Sequence, residues 1–167
     1  MIPACPMRRF LLLCLLAFPA LCARAQDSAP LFDAALRDID NRRVAIADFR
    51  GQPLIVNFWA RWCAPCRVEI PELAALAKTH GPQGLKVIGI GLEDNTPTVK
   101  DFIRAYDMDY LLLFAPVEGL SLMRALGNPR AGLPFTLAID RQGRIVMHKL
   151  GQASRADLEA AAAAALK

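Results

Sequence analysis

The chain has 167 residues, 54% of them hydrophobic, a formal net charge of +4 and five cysteines. That length suits one domain with a real core and leaves no room for two of ordinary size. The charge is too small, and too concentrated near the N-terminus, to support a nucleic-acid or anionic-membrane surface.

Met1 to Ala25 reads as a secretory signal peptide. Arg8 and Arg9 precede a 13-residue apolar run from Phe10 to Cys22, and Ala23-Arg24-Ala25 supplies the small-x-small pattern after which a signal peptidase cuts. The run falls short of the roughly 20 residues that a spanning helix needs, which weighs against retention as an anchor. Leu21 is bulky for the position before a lipidated cysteine, which weighs against a lipoprotein leader at Cys22. Cleavage after Ala25 predicts a mature chain of residues 26–167 in the periplasm. Arg8, Arg9 and Arg24 leave with the leader and no acid does, so a net charge of +4 becomes +1. Cys5, Cys14 and Cys22 leave as well, and the mature protein keeps only Cys63 and Cys66. Two cysteines two residues apart make no disulfide framework; in an exported chain they read as redox-active or metal-binding.

In chain order, residues 26–30 form an exposed lead-in and the domain proper is expected over 31–167. Leu31 to Phe49 contains short apolar pieces around Asp40-Asn41, which predicts an N-terminal β-hairpin. Leu54 to Ala60 is a near-continuous apolar run, the signature of a strand buried on both faces. After the cysteines, Ile70, Leu73, Leu76 and Ala77 recur at helical spacing up to His80, with Pro71 inside expected to kink the helix and Gly81-Pro82 ending it. Leu85 to Leu92 is a second buried strand. Thr96 and Pro97 open a helix that runs to about Tyr106. Strand, helix, strand, helix argues parallel pairing with right-handed crossovers. Tyr110 to Phe114 is a short strand and Leu120 to Leu126 a short helix. Leu133 to Ile139 is a strand with a proline near its start. Asp140-Arg141-Gln142-Gly143 turns into the strand Arg144 to Leu150, and Ser154 with Asp157 caps a final Ala-rich helix.

Chemistry concentrates at Cys63-Ala64-Pro65-Cys66. If the following segment is helical, Cys63 lies at its first turn, where free N–H groups and the helix dipole favour a thiolate. A zinc site needs two more ligands, and the only histidines, His80 and His148, are isolated from each other and from any motif. A purely structural disulfide closing so small a loop constrains the unfolded chain very little. A reversible dithiol is the remaining reading.

The string Asn57-Phe58-Trp59-Ala60-Arg61-Trp62-Cys63-Ala64-Pro65-Cys66, then Glu69 and Pro71, then Gly132-Leu133-Pro134-Phe135-Thr136 resembles the thioredoxin superfamily. More narrowly it is similar to the exported TlpA/ResA-type thiol-disulfide oxidoreductases, cytochrome c maturation thioredoxins among them. The resemblance covers nearly all of residues 31–167. It implies an α/β thioredoxin fold, a central mixed sheet flanked by helices. It also implies Cys63 as the attacking and more exposed thiol, Cys66 as the resolving thiol, and Trp62 and Pro65 beside the site. Trp59 and Phe58 are read as core. Pro134 corresponds to the family's cis-proline facing the dithiol, with the Leu133 backbone free to pair with a substrate strand. Gly143 and Gly151 match turn glycines and are read as structural.

Where thioredoxin itself buries an aspartate in the central strand, this chain has Asn57, which cannot accept a proton at neutral pH. Glu69, one helical turn beyond Cys66, matches the glutamate of the TlpA/ResA type and is expected to act as proton shuttle; the competing reading is a solvated helix glutamate. Glu93 follows the second buried strand and is a further candidate acid, with a plain loop charge as the competing reading and Asp94 beside it as an ambiguity. The partners implied are exported disulfide-containing proteins and a membrane electron donor of the thiol-disulfide type, with no nucleic acid, no metal and no cofactor, the protein acting as a monomer. Two rivals remain. A peroxidase of the peroxiredoxin type wants a Pro-x-x-x-Thr pattern ahead of its cysteine, which is absent. A non-catalytic binding or metal-handling module wants Cys-x-x-x-Cys spacing and a distant ligand histidine.

Overall fold

In the computed structural model, which describes residues 27–167, the apolar run after Pro53 becomes strand β3 (Leu54–Trp59), with all six residues buried. The predicted signal peptide and its cleavage site lie outside the described residues. A strand hidden on both faces must be paired on both edges and covered above and below. On one edge β3 pairs in parallel with β4 (Lys86–Gly91), which pairs in parallel with β5 (Leu111–Phe114). On the other edge it pairs antiparallel with β6 (Phe135–Ile139), itself antiparallel to β7 (Ile145–Leu150). The N-terminal hairpin of β1 (Ala35–Asp38) and β2 (Arg43–Ala45) joins through an antiparallel β1–β5 pairing. The result is one mixed seven-stranded sheet in the order β2-β1-β5-β4-β3-β6-β7. The expected parallel pairing therefore holds only for β3, β4 and β5.

Side chains alternate across β3 and sort the covering helices into two layers. Leu54, Val56 and Phe58 pack in one cluster with Leu31 and Phe32 of α1 (Ala29–Phe32) and with Leu122 and Met123 of α4 (Gly119–Ala125). Ile55 points the other way, to Leu73 and Leu76 of α2 (Ala64–His80) and Leu158 and Ala161 of α5 (Arg155–Ala165). Trp59 joins Ile70 of α2 and Val99 and Ile103 of α3 (Pro97–Ala105). Gly89 makes room there: a β-carbon on it would lie 3.0 Å from Tyr110 Cε2 and 3.2 Å from Trp59 Nε1. Among the described residues no helix is long and apolar enough to cross a membrane.

The two hairpins at the ends of the sheet share one device, which the sequence reading did not single out. Asp38 Oδ1 accepts the N–H of Asp40 and of Arg42, while Asp38 Oδ2 accepts Arg42 Nε at 2.8 Å. Asp140 Oδ1 likewise accepts the N–H of Gln142 and of Arg144, and its Oδ2 accepts Arg144 Nε at 2.7 Å. In each turn the residue three after the aspartate has positive φ, Asn41 at 64° and Gly143 at 80°, conformations that these residue types adopt most readily.

Two of the differences from the expected boundaries involve specific contacts. The lead-in is not wholly exposed, because Ser28 is buried and its hydroxyl donates to the Gly143 carbonyl, anchoring α1 against the β6–β7 turn. The strand expected from Leu133 starts at Phe135; the Leu133–Pro134 bond is cis, and Pro134, which has no N–H to give, meets the neighbouring strand only through its carbonyl, which accepts the Gly151 N–H.

Candidate active site

Chain direction places the dithiol where β3 ends and α2 begins. Leu92 N–H donates to Trp59 O at 2.9 Å and Cys63 N–H to Ala60 O at 3.1 Å, so the chain leaves the sheet in one tight turn. Cys63 is the N-cap of α2 in extended conformation, and its Sγ accepts the Cys66 N–H at 3.2 Å. Sulfur thus occupies the acceptor position that a serine or aspartate oxygen fills at other helix starts. Together with the dipole of a 17-residue helix, the same N–H favours negative charge on Cys63 once the pair is reduced. Pro65, in the first turn, costs no hydrogen bond because the helix has no acceptor for that N–H. Cys63 and Cys66 are joined as a disulfide, with Cα atoms 5.3 Å apart.

Cys63 retains 5% exposure and Cys66 none. Around this narrow opening Ala64, Pro65 and Arg67 are exposed, and Trp62 is 67% exposed, a large apolar surface beside a reactive sulfur. Trp59 and Phe58 are fully buried. Leu133 packs into the cluster that holds Cys63, Cys66 and Trp59, and Pro134, buried after the cis bond, accepts Gly151 N–H on its carbonyl at 2.9 Å.

Glu69 is not a solvated helix residue: it is 1% exposed. Thr136 Oγ1 donates to its Oε1 at 2.6 Å, Asn57 Nδ2 to the same oxygen at 3.2 Å, and Ala153 N–H to its Oε2 at 3.1 Å. Asn57 Nδ2 also donates to Thr136 Oγ1 at 2.9 Å, closing a triangle under α2. Burial pushes the Glu69 carboxyl above the ordinary carboxylate range; the Thr136 hydroxyl, the Ala153 N–H and the Lys149 ammonium oppose the shift, and Asp157 adds to it. Sequence reasoning missed Thr136, Ala153 and Lys149 as partners of Glu69. The available signal was a threonine inside the otherwise apolar run Phe135 to Ile139, since a buried hydroxyl has to find a partner.

Glu93 is neither buried acid nor plain loop charge. Its carboxylate accepts the Arg61 N–H and lies 3.6 Å from Arg61 Nε, which pins the backbone just before Trp62 and Cys63. Asp94 beside it is exposed. Among the described residues no group of three or more His, Cys, Asp and Glu side chains is arranged to hold a metal. His80 pairs with Glu159 at 2.8 Å and His148 stands edge-on to Phe135.

The sequence matches the Redoxin family over residues 24–166. The chain belongs to that family. Within the Redoxin family it is similar to the thiol:disulfide interchange protein DsbE of Pseudomonas aeruginosa, 37% identical over 121 residues, which are 72% of this chain and 63% of that one. It is also similar to the thiol-disulfide oxidoreductase ResA of Bacillus thuringiensis subsp. konkukian, 27% identical over 131 residues, 78% of this chain and 72% of that one. Among solved structures, a thiol:disulfide interchange protein of the thioredoxin family from Chlorobium tepidum superposes with a TM-score of 0.68 at 30% identity, covering 80% of this chain and 93% of that one. This Redoxin chain is a thiol-disulfide oxidoreductase of the ResA/DsbE type on a thioredoxin fold, and Cys63-Ala64-Pro65-Cys66 is its redox pair.

Proposed function

We propose that this Redoxin protein works in the periplasm after export, reducing disulfides of other exported proteins. Cys63, as thiolate, attacks one sulfur of a substrate disulfide; the bond between the substrate sulfurs breaks, one leaves as a thiolate, and a mixed disulfide forms on Cys63. Cys66 then loses its proton and attacks Cys63 Sγ, which closes the Cys63–Cys66 disulfide and releases the second substrate sulfur. Two electrons pass to the substrate. A membrane donor of the thiol-disulfide type returns them, because an oxidising compartment holds no ready reductant.

The observation that carries this reading is the difference in setting between the two sulfurs. Cys63 sits at a helix start with an N–H directed at it and an edge open to solvent, whereas Cys66 is closed off one helical turn from a buried carboxylate. In the second step Glu69 takes the Cys66 proton, a role suited to a carboxylate whose affinity for protons is raised by burial. Trp62, Pro65, Leu133 and Pro134 form the substrate-facing rim. Among the described residues neither the N–H nor the C=O of Leu133 has a hydrogen-bond partner, which leaves both for an extended substrate segment. Glu93 acts by holding Arg61, and through it the Trp62–Cys63 segment.

Insulin reduction in the presence of dithiothreitol, run beside a copper titration, tests the reading. Turnover lost on Cys63→Ser, with no metal uptake by the parent, is the expected result. Metal binding without thiol exchange would overturn it.

A further inference from the structure

The hydrogen bonds to Glu69 come from two strands and a helix start, and among the described residues the one cation that acts on it is Lys149. Thr136 and Lys149 are direct partners in the β6–β7 register, so their side chains rise from the same face of the sheet with β-carbons about 5 Å apart. Thr136 meets Glu69 Oε1, while Lys149 Nζ is held at 3.1 Å by Asp157 Oδ2. That same Asp157 oxygen accepts the N–H and the hydroxyl of Ser154, each at 2.9 Å, and Ser154 Oγ accepts the Asp157 N–H. This reciprocal cap fixes the start of α5, and the residue just before it, Ala153, directs its N–H at Glu69 Oε2.

We propose that Lys149 is a positioning residue that sets the charge state of Glu69 from the far end of the α5 cap. The inference rests on the reading of Glu69 as proton acceptor for Cys66, and it adds what governs that acceptor.

The groups facing Glu69 from each packed element are few. Asn57 from β3 and Thr136 from β6 do not titrate in the working range. Tyr110, ahead of β5, has its ionisation pushed far up by burial and then by the charge of Glu69, so it stays neutral. On α2 itself Cys66 is one turn back, and Glu72 one turn on is offset by Arg155 at 4.0 Å. From β7 and α5 come Lys149 and Asp157, of opposite sign. The Asp157 carboxyl, held down to about 2 by the Ser154 N–H first and then by Lys149 and the Ser154 hydroxyl, stays charged. Lys149 favours ionised Glu69 and Asp157 opposes it. Lys149 is therefore the one cation in this set that acts on Glu69, and it does so with Asp157 3.1 Å from its Nζ.

The oxidised protein offers a clean reading, because neither disulfide-bonded cysteine titrates. The carboxyl carbon of Glu69, assigned by its loss in E69Q, is followed by NMR against pH in the parent, K149M and K149R. The Glu69 midpoint is expected to rise by at least about half a pH unit in K149M, a roughly threefold change in the ionisation constant, and to return to the parental value in K149R. A K149M midpoint equal to the parent's, or a K149R midpoint displaced as far as that of K149M, overturns the proposal. The exchange rate against pH then separates the two claims. If K149M moves the Glu69 midpoint but E69Q leaves the rate profile unchanged, the control by Lys149 stands and the shuttle role of Glu69 falls. If E69Q removes a limb of the profile while K149M moves neither midpoint nor limb, Glu69 remains the shuttle and Lys149 does not govern it.

Discussion

Thr136 and Glu69, 67 residues apart in the chain, meet in a 2.6 Å hydrogen bond that ties the strand after Pro134 to the helix that carries both cysteines. The turn at Pro134 and the buried Glu69 are thereby tied into one buried network. Glu69→Gln keeps the shape of that network and removes its ability to take a proton. Exchange at neutral pH should slow by about a hundredfold, chiefly in the step where Cys66 attacks, as rapid-mixing kinetics of mixed-disulfide decay can show. An unchanged decay rate would sink the shuttle role.

The same residue predicts a slope of stability against pH. The Glu69 carboxyl is raised in the folded protein, so its contribution is fully present below its unfolded value and is lost as pH rises through the folded value. Thermal unfolding of the oxidised protein should show the parent losing stability relative to E69Q as pH climbs from acid through that value. Parallel curves for the two proteins would contradict it.

At the acid end the signs reverse. Asp157 is lowered to about 2 by hydrogen bonds to the α5 cap and Lys149. Asp38 and Asp140 are also lowered, where burial works against the shift but the backbone N–H and guanidinium of Arg42 and Arg144 outweigh it. Each contributes stability present above the ordinary carboxylate value and lost as pH falls through its lowered one. Urea midpoints measured between pH 5 and pH 2 should therefore drop, and less steeply in D157N.

Glu93→Ala should leave the fold's stability nearly unchanged but free the Arg61 backbone. The expected readout is a several-fold rise in KM for a protein disulfide, with little change toward dithiothreitol, because the small reagent does not use the Trp62 surface. Equal losses toward both would place Glu93 in the chemistry instead.

Gly89→Ala tests the packing behind the site. Its β-carbon would lie 2.9 Å from Leu112 Cδ2 as well as against Tyr110 and Trp59, all within the core, and should destabilise by about 1–3 kcal/mol in denaturant titration. A neutral substitution would mean that the Trp59 layer repacks freely.

Much of this was legible before any coordinates. The buried run Leu54 to Trp59, the helix after the cysteines and the Thr96–Pro97 helix start declare themselves by pattern, because hydrophobic period and capping chemistry are local. The partners of Glu69 do not. Thr136, Lys149 and the Ala153 N–H reach it only through β6–β7 register and the placement of α5, which no local pattern encodes. Ser28 escaped for the same reason: its partner, the Gly143 carbonyl, is 115 residues away. Glu93 was found as a position, but its hydrogen bond from the Arg61 N–H was not, since sequence does not display which backbone groups a carboxylate meets.

The central claim is that Cys63 attacks and Cys66 resolves. Incubating reduced Cys66→Ser protein with a disulfide substrate and weighing the product by mass spectrometry tests it most directly. The account predicts one stable mixed disulfide per chain, mapped to Cys63 and reversed by dithiothreitol. Absence of that adduct, while Cys63→Ser protein captures the substrate through Cys66, would contradict it.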